Sequence, residues 1–251
     1  MGRPLSGARR SVRELWRTLL RIVMPDACAA CAQDLAMPAP MGLCRVCFTA
    51  LVRVDPAGCR RCGAPLRPDG RCLAPHRDLQ NLEFLVAPFG YAGTGGALVR
   101  RFKLDADAAA GRLLAAAMGR HLRERLPPPW RHALLVPVPL HPQKRRQRGF
   151  DQAAWLARQI ASRCAGLRVQ EVLRRTRNTA PQGDPRTTNR ERNVHGAFSL
   201  RRGGVAGARL VLVDDVATSA ATLRACAGVL RNAGALAIGA VVGCRATAQG
   251  T

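Results

Sequence analysis

The chain has 251 residues, 47% of them hydrophobic and only 4% aromatic, with 40 Lys and Arg against 16 Asp and Glu, for a formal net charge of +24. That length suits one large domain or one ordinary domain plus a small module, and the apolar share builds a real core, which excludes a disordered basic tail. No stretch approaches the ~18 apolar residues of a membrane span, and no apolar segment with a small-residue cleavage site follows the Arg-rich start, so a cytoplasmic protein without a transmembrane segment is expected.

The charge implies attraction to phosphate-bearing partners: nucleic acid, phosphorylated small molecules or an anionic membrane surface. Lysine occurs only at Lys103 and Lys144; every other basic side chain is arginine, a skew that a GC-rich coding sequence also produces. Seven of the ten cysteines fall between residues 28 and 72. In a reducing compartment such clustering points to metal rather than disulfides.

In chain order, residues 11–23, "SVRELWRTLLRIV", put Val12, Leu15, Trp16, Leu19, Leu20 and Val23 at helical spacing with arginine on the other face. This basic amphipathic segment, 1–24, can lie on a membrane, although its short apolar face suits packing on its own protein better. Residues 25–80 are rich in Pro, Gly and Cys, as in a small metal-stapled module. Cys28-x2-Cys31 and Cys44-x2-Cys47 form two knuckles that together complete a tetrahedral Zn²⁺ shell. Cys59-x2-Cys62 and Cys72 supply three ligands of a second shell. Pro75 stands where a matching fourth cysteine would fall, and His76 can serve instead; the alternative is a relic whose cysteines pack as small hydrophobes. No open coordination position is suggested, so the zinc is expected to be structural. Cys164, Cys226 and Cys244 lie in helix or strand patterns and read as core residues.

Near residue 84 the texture changes. "FLVAPFGY" reads as a strand, "GGALVRRFK" and "AAAGRLLAAAMGRHLRERL" as helices, and "PPPW" (127–130) as a break. "ALLVPVPL" (133–140) is a buried strand, "FDQAAWLARQIASRC" a helix, "RLVLVDD" a second buried strand, "SAATLRACAGVLRNAG" a helix closed by Gly234, and "ALAIGAVVG" a third strand. Strands alternating with helices predict an α/β fold over 84–247, a mostly parallel sheet with helices on both faces.

The stretch "VLVDDVATSAATL" (211–223) sets two carboxylates, Asp214 and Asp215, at the expected carboxyl end of a strand, where ligands bind in open α/β sheets. Thr218, Ser219 and Thr222 then bracket the start of a helix. Free N–H groups, the positive end of the helix dipole and hydroxyls together form a phosphate site. Adjacent carboxylates can accept from two neighbouring hydroxyls, such as those of a ribose. The competing reading is a strand–helix junction that Asp and Ser merely cap.

This stretch resembles the signature of type I phosphoribosyltransferases, which bind phosphoribosyl pyrophosphate (PRPP). The resemblance implies that Asp214 and Asp215 hold the ribose hydroxyls and that Thr218, Ser219, Ala220, Ala221 and Thr222 wrap the 5-phosphate. Ala220 stands where that family usually has glycine, so its Cβ is expected to restrict φ and the backbone's approach to phosphate. Upstream, "VPVPLHPQKRRQRGFDQAAWLA" and "RTRNTAPQGDPRTTNRERNVHGAF" resemble the ComF family and its GntX relatives, which join a double zinc ribbon to a phosphoribosyltransferase-like domain. The resemblance implies that Pro137, Val138, Pro139 and His141 lie beside the pyrophosphate and its Mg²⁺. Asp151 stands where the family favours Asn.

Between residues 141 and 202 there are 15 basic and 4 acidic residues. Lys144, Arg145, Arg146 and Arg148 are expected to crowd one loop, more cations than a pyrophosphate needs and suited to a polynucleotide backbone. Phe150 either offers a stacking face for an unpaired base or, the favoured reading, anchors the following helix in the core. Two functions follow. The first, implied by the ComF resemblance, is a cytoplasmic accessory of natural competence or DNA utilisation that binds PRPP, single-stranded DNA and other DNA-uptake proteins. The second is a true transferase that moves ribose 5-phosphate from PRPP to a nitrogen acceptor.

Overall fold

A computed structural model describes residues 27–35, 39–55, 57–74, 76, 79–177, 196–201 and 204–246. The expected helix at 11–23 and most of the 175–198 stretch lie outside these residues. The first described segments are the cysteine knuckles, followed by a 3₁₀ turn at Pro40–Gly42 and helix α1 (Arg45–Thr49). Beyond them lie β1 (Leu85–Val86), β2 (Phe89–Gly90), α2 (Thr94–Leu104), α3 (Ala108–Arg125), β3 (Leu134–Pro137), α4 (Pro142–Arg148) and α5 (Gln152–Ala161). Then come β4 (Arg168–Val169), β5 (Leu173–Arg175), β6 (Phe198–Leu200), β7 (Arg209–Ala217), α6 (Ala221–Asn232) and β8 (Ala237–Arg245).

The main sheet has the order β1-β8-β7-β3-β4, with β2 also on β8, and every pairing in it is parallel. A separate antiparallel pair joins β5 and β6. Alternation along the strands divides the apolar interior in two. Leu135, Val211, Val213 and Val241 face α2, α3 and α5, meeting Leu98, Phe102, Leu114, Met118, Leu156 and Ile160. Val136, Leu210, Leu212, Ala240 and Val242 face α6, meeting Leu223, Cys226 and Leu230. Helices therefore cover both faces, as the continuous apolar runs predict for a parallel sheet. The first knuckle packs into the former layer through Cys28, Ala29 and Leu43, and the second into the latter through Cys59 and Cys62. The zinc-ribbon module thus straddles the β1/β2 edge, and Gly90 N–H donates to Val52 O across it. An edge covered in this way has no exposed ladder to pair with another chain.

Three expectations are corrected. The strand expected at 84–91 is two short pieces, because Pro88 lacks the N–H to continue the ladder. The basic run 142–148 is a helix, not a loop: Pro142 occupies its first turn, His141 Nδ1 accepts from Gln143 N–H, and Gly149 closes it at φ 77°. Strand β7 does not end at the acidic pair but carries both carboxylates inside its ladder, Asp214 opposite Val242, and stops at Ala217.

Helix α2 enters directly against β2. A Cβ built on Gly95 would lie 2.0 Å from the Gly90 carbonyl oxygen and 3.3 Å from Cys244 Sγ. The obstruction is backbone, which cannot swing aside. Gly95→Ala is expected to lower the melting temperature by about 5–10 °C, from an overpacking cost of roughly 2–3 kcal/mol. Thermal unfolding followed by circular dichroism checks this, and an unchanged transition would show that α2 can slide.

Candidate functional site

The sheet's carboxyl end assembles the site from β3, β7 and the loop into α6. Pro137 lies opposite Val213, and Val138 N–H donates to Val213 O at 2.9 Å, so the Pro137–His141 segment runs beside the acidic pair. Asp215 is 4% exposed, and its Oδ2 lies 2.9 Å from Lys103 Nζ on α2. A carboxylate so enclosed requires such a partner. Asp214 accepts at Oδ1 from the Asp215 N–H, 2.9 Å away. Burial, then the adjacent Asp215 charge, pushes the Asp214 carboxyl up to about 8, against the pull of Lys103.

After the strand, the chain turns at Ala220 with φ 53° and ψ 11°, the left-handed conformation that glycine adopts most readily. The expected restriction on φ is therefore corrected: this alanine takes up the glycine-like conformation, and its side chain is buried. Among the described residues no side chain caps α6. Its first N–H groups have no intrahelical acceptor, and the Ser219 hydroxyl is buried without a hydrogen-bond partner among the described residues. Arg224 steadies the loop from within the helix, donating to Ser219 O at 2.8 Å. An uncapped helix start with an orphan hydroxyl above two carboxylates suits an anionic ligand that also carries hydroxyl donors.

Two cations, Lys103 and Arg175, lie by the carboxylates, and Lys144 and Arg148 lie near them in turn. Burial, then the charges of Arg175, Arg148 and Lys103, holds the Lys144 ammonium below its usual value. Burial likewise lowers Arg175, while Cys226 and Asp214 pull it back up. Arg148 donates to Gln152 Oε1 at 3.3 Å, and Gln152 Nε2 donates to Lys103 O at 3.5 Å, which ties α4 through α5 to the lysine beside Asp215. Lys103, Arg175 and Gln152 were not among the residues singled out from sequence. One signal was present: the chain's only two lysines, 103 and 144, converge here. A lysine ammonium is a compact point charge, unlike the wide planar fork of arginine.

Asp151 caps α5, accepting from Ala154 N–H at 3.0 Å, and its other oxygen receives Leu140 N–H at 3.4 Å. It therefore pins the end of the Pro137–His141 segment. A cleft of about 120 Å³ opens below, lined by Pro137, Pro139, Leu140, Arg145, Arg174, Arg175 and Arg201 among others. Arg145 and Arg146 are exposed on α4. Phe150 is half-buried with its ring edge-on to Phe102, centroids 5.5 Å apart, so it anchors α5 in the core.

The cysteines form two clusters, Cys28, Cys31, Cys44, Cys47 and Cys59, Cys62, Cys72, His76, each with all four donor atoms within 4.8 Å of one another. Cys31 and Cys44 sulfurs are 3.8 Å apart, Cys62 and Cys72 sulfurs 3.4 Å, and Cys59 Sγ to His76 Nε2 3.3 Å. A tetrahedral zinc with ~2.3 Å bonds sets sulfurs about 3.8 Å apart, so both clusters fit the ion. Burial opposes ionisation of Cys28, but N–H donors from Cys44, Cys31 and Ala30 outweigh it and bring the thiol down to about 6. Burial, with Arg61 and Arg245, holds His76 below its usual value and so neutral, the form that ligates. Both shells are closed, which makes the sites structural.

Comparison with known proteins agrees with this division. The double zinc ribbon domain family matches residues 19–75, and the phosphoribosyl transferase domain family matches residues 146–250. DNA utilization protein YhgH of Escherichia coli (strain K12) is 31% identical over 226 residues, covering 86% of this chain and 96% of that one. The chain belongs to the ComF family. Another of its relatives, competence protein F of Haemophilus influenzae, is 27% identical over 220 residues, covering 82% and 91%. A purine phosphoribosyltransferase from Pyrococcus horikoshii Ot3 aligns with 53% of the ComF-family chain and 70% of its own, at 17% identity and a TM-score of 0.30.

Two outcomes are expected. Purified, reduced protein should carry two equivalents of Zn²⁺ by metal analysis, and Cys28→Ser should lose about one while the α/β domain stays folded; protein free of zinc would overturn the reading of both clusters. Asp214 should leave a pH signature. Its carboxyl titrates near 4 in the unfolded chain and higher in the folded one, so folding favours the protonated form and stability falls as pH rises between those values. Asp214→Asn removes that loss, so its melting temperature should rise above the wild type's by a margin that widens from about pH 5 to 8 and then levels. A pH-independent margin would place the carboxyl in water.

Proposed function

We propose that this chain is a cytoplasmic accessory of DNA uptake or utilisation that binds PRPP with Mg²⁺ and handles single-stranded DNA. The observation that carries the reading is the uncapped start of α6, with the orphan Ser219 hydroxyl and the left-handed Ala220, set beside the Asp214–Asp215 pair. In this reading Thr218, Ser219, Ala220, Ala221 and Thr222 enclose the 5-phosphate. Asp214 and Asp215 accept from the ribose hydroxyls. The segment Pro137, Val138, Pro139 and His141 faces the pyrophosphate, whose charge Mg²⁺, Lys103, Lys144 and Arg175 neutralise. The family's phosphoribosyl transferase domain supports the ligand class.

The DNA part rests on the relatives' names, DNA utilization protein and competence protein, and on the exposed arginines around α4. Arg145, Arg146 and Arg148 continue the cationic surface beyond what one small ligand needs, and Arg forks suit phosphate oxygens. The ribbon module supplies a rigid neighbouring surface for DNA or for other DNA-uptake proteins.

Calorimetric titration with PRPP and Mg²⁺ tests the first half. Replacing Asp214 and Asp215 together by Ala removes one charged acceptor, Asp215, worth about 1.5–3 kcal/mol, and one that is largely neutral near pH 7, Asp214, worth about 0.5–1.5 kcal/mol, so affinity should fall on the order of a hundredfold. In the same assay Ala220→Gly should tighten binding, because removing the Cβ lets the backbone approach the phosphate more closely. Unchanged titration of the folded double variant would reduce the loop to a helix junction.

Fluorescence anisotropy with oligonucleotides tests the second half. Binding should be independent of sequence and fall steeply with salt, each phosphate contact adding about 0.7 to the log–log slope. Replacing the exposed Arg145 and Arg146 by Ala should lower that slope by about 1.4. Lys144 is left intact because it is partly buried beside Arg175 and Lys103. Failure to bind any oligonucleotide at low salt would leave a phosphoribosyl transferase acting on a nitrogen acceptor as the better reading.

A further inference from the structure

The second knuckle is held by the α/β domain in a way the first is not. Arg245, the last residue of β8, donates from its guanidinium to Cys62 O at 2.8 Å. Arg125 on α3 donates to Cys59 O at 3.1 Å and to Asp55 O at 2.9 Å, and Leu85 N–H on β1 donates to Arg61 O at 2.7 Å. Three carbonyls of the Cys59–Cys62 turn therefore accept from the domain. The hydrogen bonds shown for Cys28, Cys31, Cys44 and Cys47 stay inside the ribbon.

Arg245 also belongs to the anion loop's foundation. Its backbone lies opposite Ala217 on one side and Gly90 on the other, its carbonyl accepts from Tyr91 N–H, and the next amide, Ala246 N–H, donates to Ala217 O at 2.9 Å. Ala217 is the residue from which the chain enters the Thr218–Thr222 loop. One residue thus grips a zinc-ligand turn with its side chain and the root of the anion loop with its backbone. A Cys₃His shell holding Zn²⁺ carries a net charge of −1, which strengthens the grip of a guanidinium on that turn.

We propose that Arg245 is a positioning residue that couples the second zinc knuckle to the anion loop, so that order at either one stabilises the other. Coupling of this kind is reciprocal. A metal-loaded second cluster holds Ala217 and the start of α6 in the receptive geometry, and an anion in the loop tightens the Cys59–His76 turn. Among the described residues the first cluster, bonded within the ribbon, lacks this link. The part concerning PRPP rests on the proposed function; the coupling itself does not.

Hydrogen–deuterium exchange on the full chain reads it. In Arg245→Met, with both zinc equivalents retained, amides of residues 59–76 and of 214–224 should exchange about tenfold faster together, the scale of one lost charge-assisted bond. Cys72→Ser should loosen 214–224 in the same way, whereas Cys47→Ser should not. Addition of PRPP with Mg²⁺ should slow exchange at 59–76 in the wild type and leave it unchanged in Arg245→Met. If the wild type fails to bind PRPP in calorimetry, the proposed ligand is wrong, and the variants without ligand still decide the coupling. Equal effects of Cys47→Ser and Cys72→Ser on 214–224, or an Arg245→Met that exchanges like the wild type at both segments, would overturn it.

Discussion

The parallel ladder between β7 and β8 is the constraint on which the rest of the molecule depends. It runs for nine residues on each side, from Arg209 beside Ala237 to Ala217 beside Arg245, and nearly every side chain in it is buried. Both apolar layers are built on this ladder, as are the Asp214–Asp215 pair and the root of the anion loop. Register is therefore strict: a slip of one residue would exchange Leu210 and Leu212 with Val211 and Val213 between layers and turn Asp215 away from Lys103.

Carboxylates inside such a ladder are an expensive arrangement. Asp215 has an ammonium 2.9 Å away, whereas Asp214 has a backbone donor and a raised affinity for its proton. Conflict of this kind, tolerated where local rules would forbid it, is characteristic of functional sites rather than of scaffolds. The left-handed Ala220 is a second conflict, five residues beyond Asp215 on the same chain segment. The two lie together at the carboxyl end of the sheet.

Much of this was legible in residues. The continuous apolar runs 134–137 and 210–213 specified buried parallel strands; the cysteine spacing specified the first cluster and offered His76 as one way to complete the second, which the structure brings together. The α4 helix was not legible, because "PQKRRQR" has no apolar period; it is fixed by the His141 cap, Pro142 and Gly149 rather than by a buried face. Lys103 was obscured for a different reason. It sits in a helix whose pattern reads as ordinary amphipathic surface, and only tertiary packing carries its ammonium to a carboxylate over a hundred residues away. The Arg245 grip was hidden likewise, since a terminal strand arginine gives no sign of the carbonyl it will meet.

The straddling of the β1/β2 edge by the two knuckles also dictates an order of assembly. On the ribosome the knuckles emerge before the α/β domain, with the ligands of each close enough in sequence to gather round one ion. Their seats are made late: β1 pairs with β8, Leu85 beside Ala240, and the guanidinium that reaches Cys62 O belongs to one of the last described residues. The ribbon thus leaves the ribosome before the strand that secures it. Until β8 is made, its apolar underside, with Leu43 and Leu51, stands uncovered in the crowded cell. For that interval the nascent chain depends on whatever shields it from aggregation.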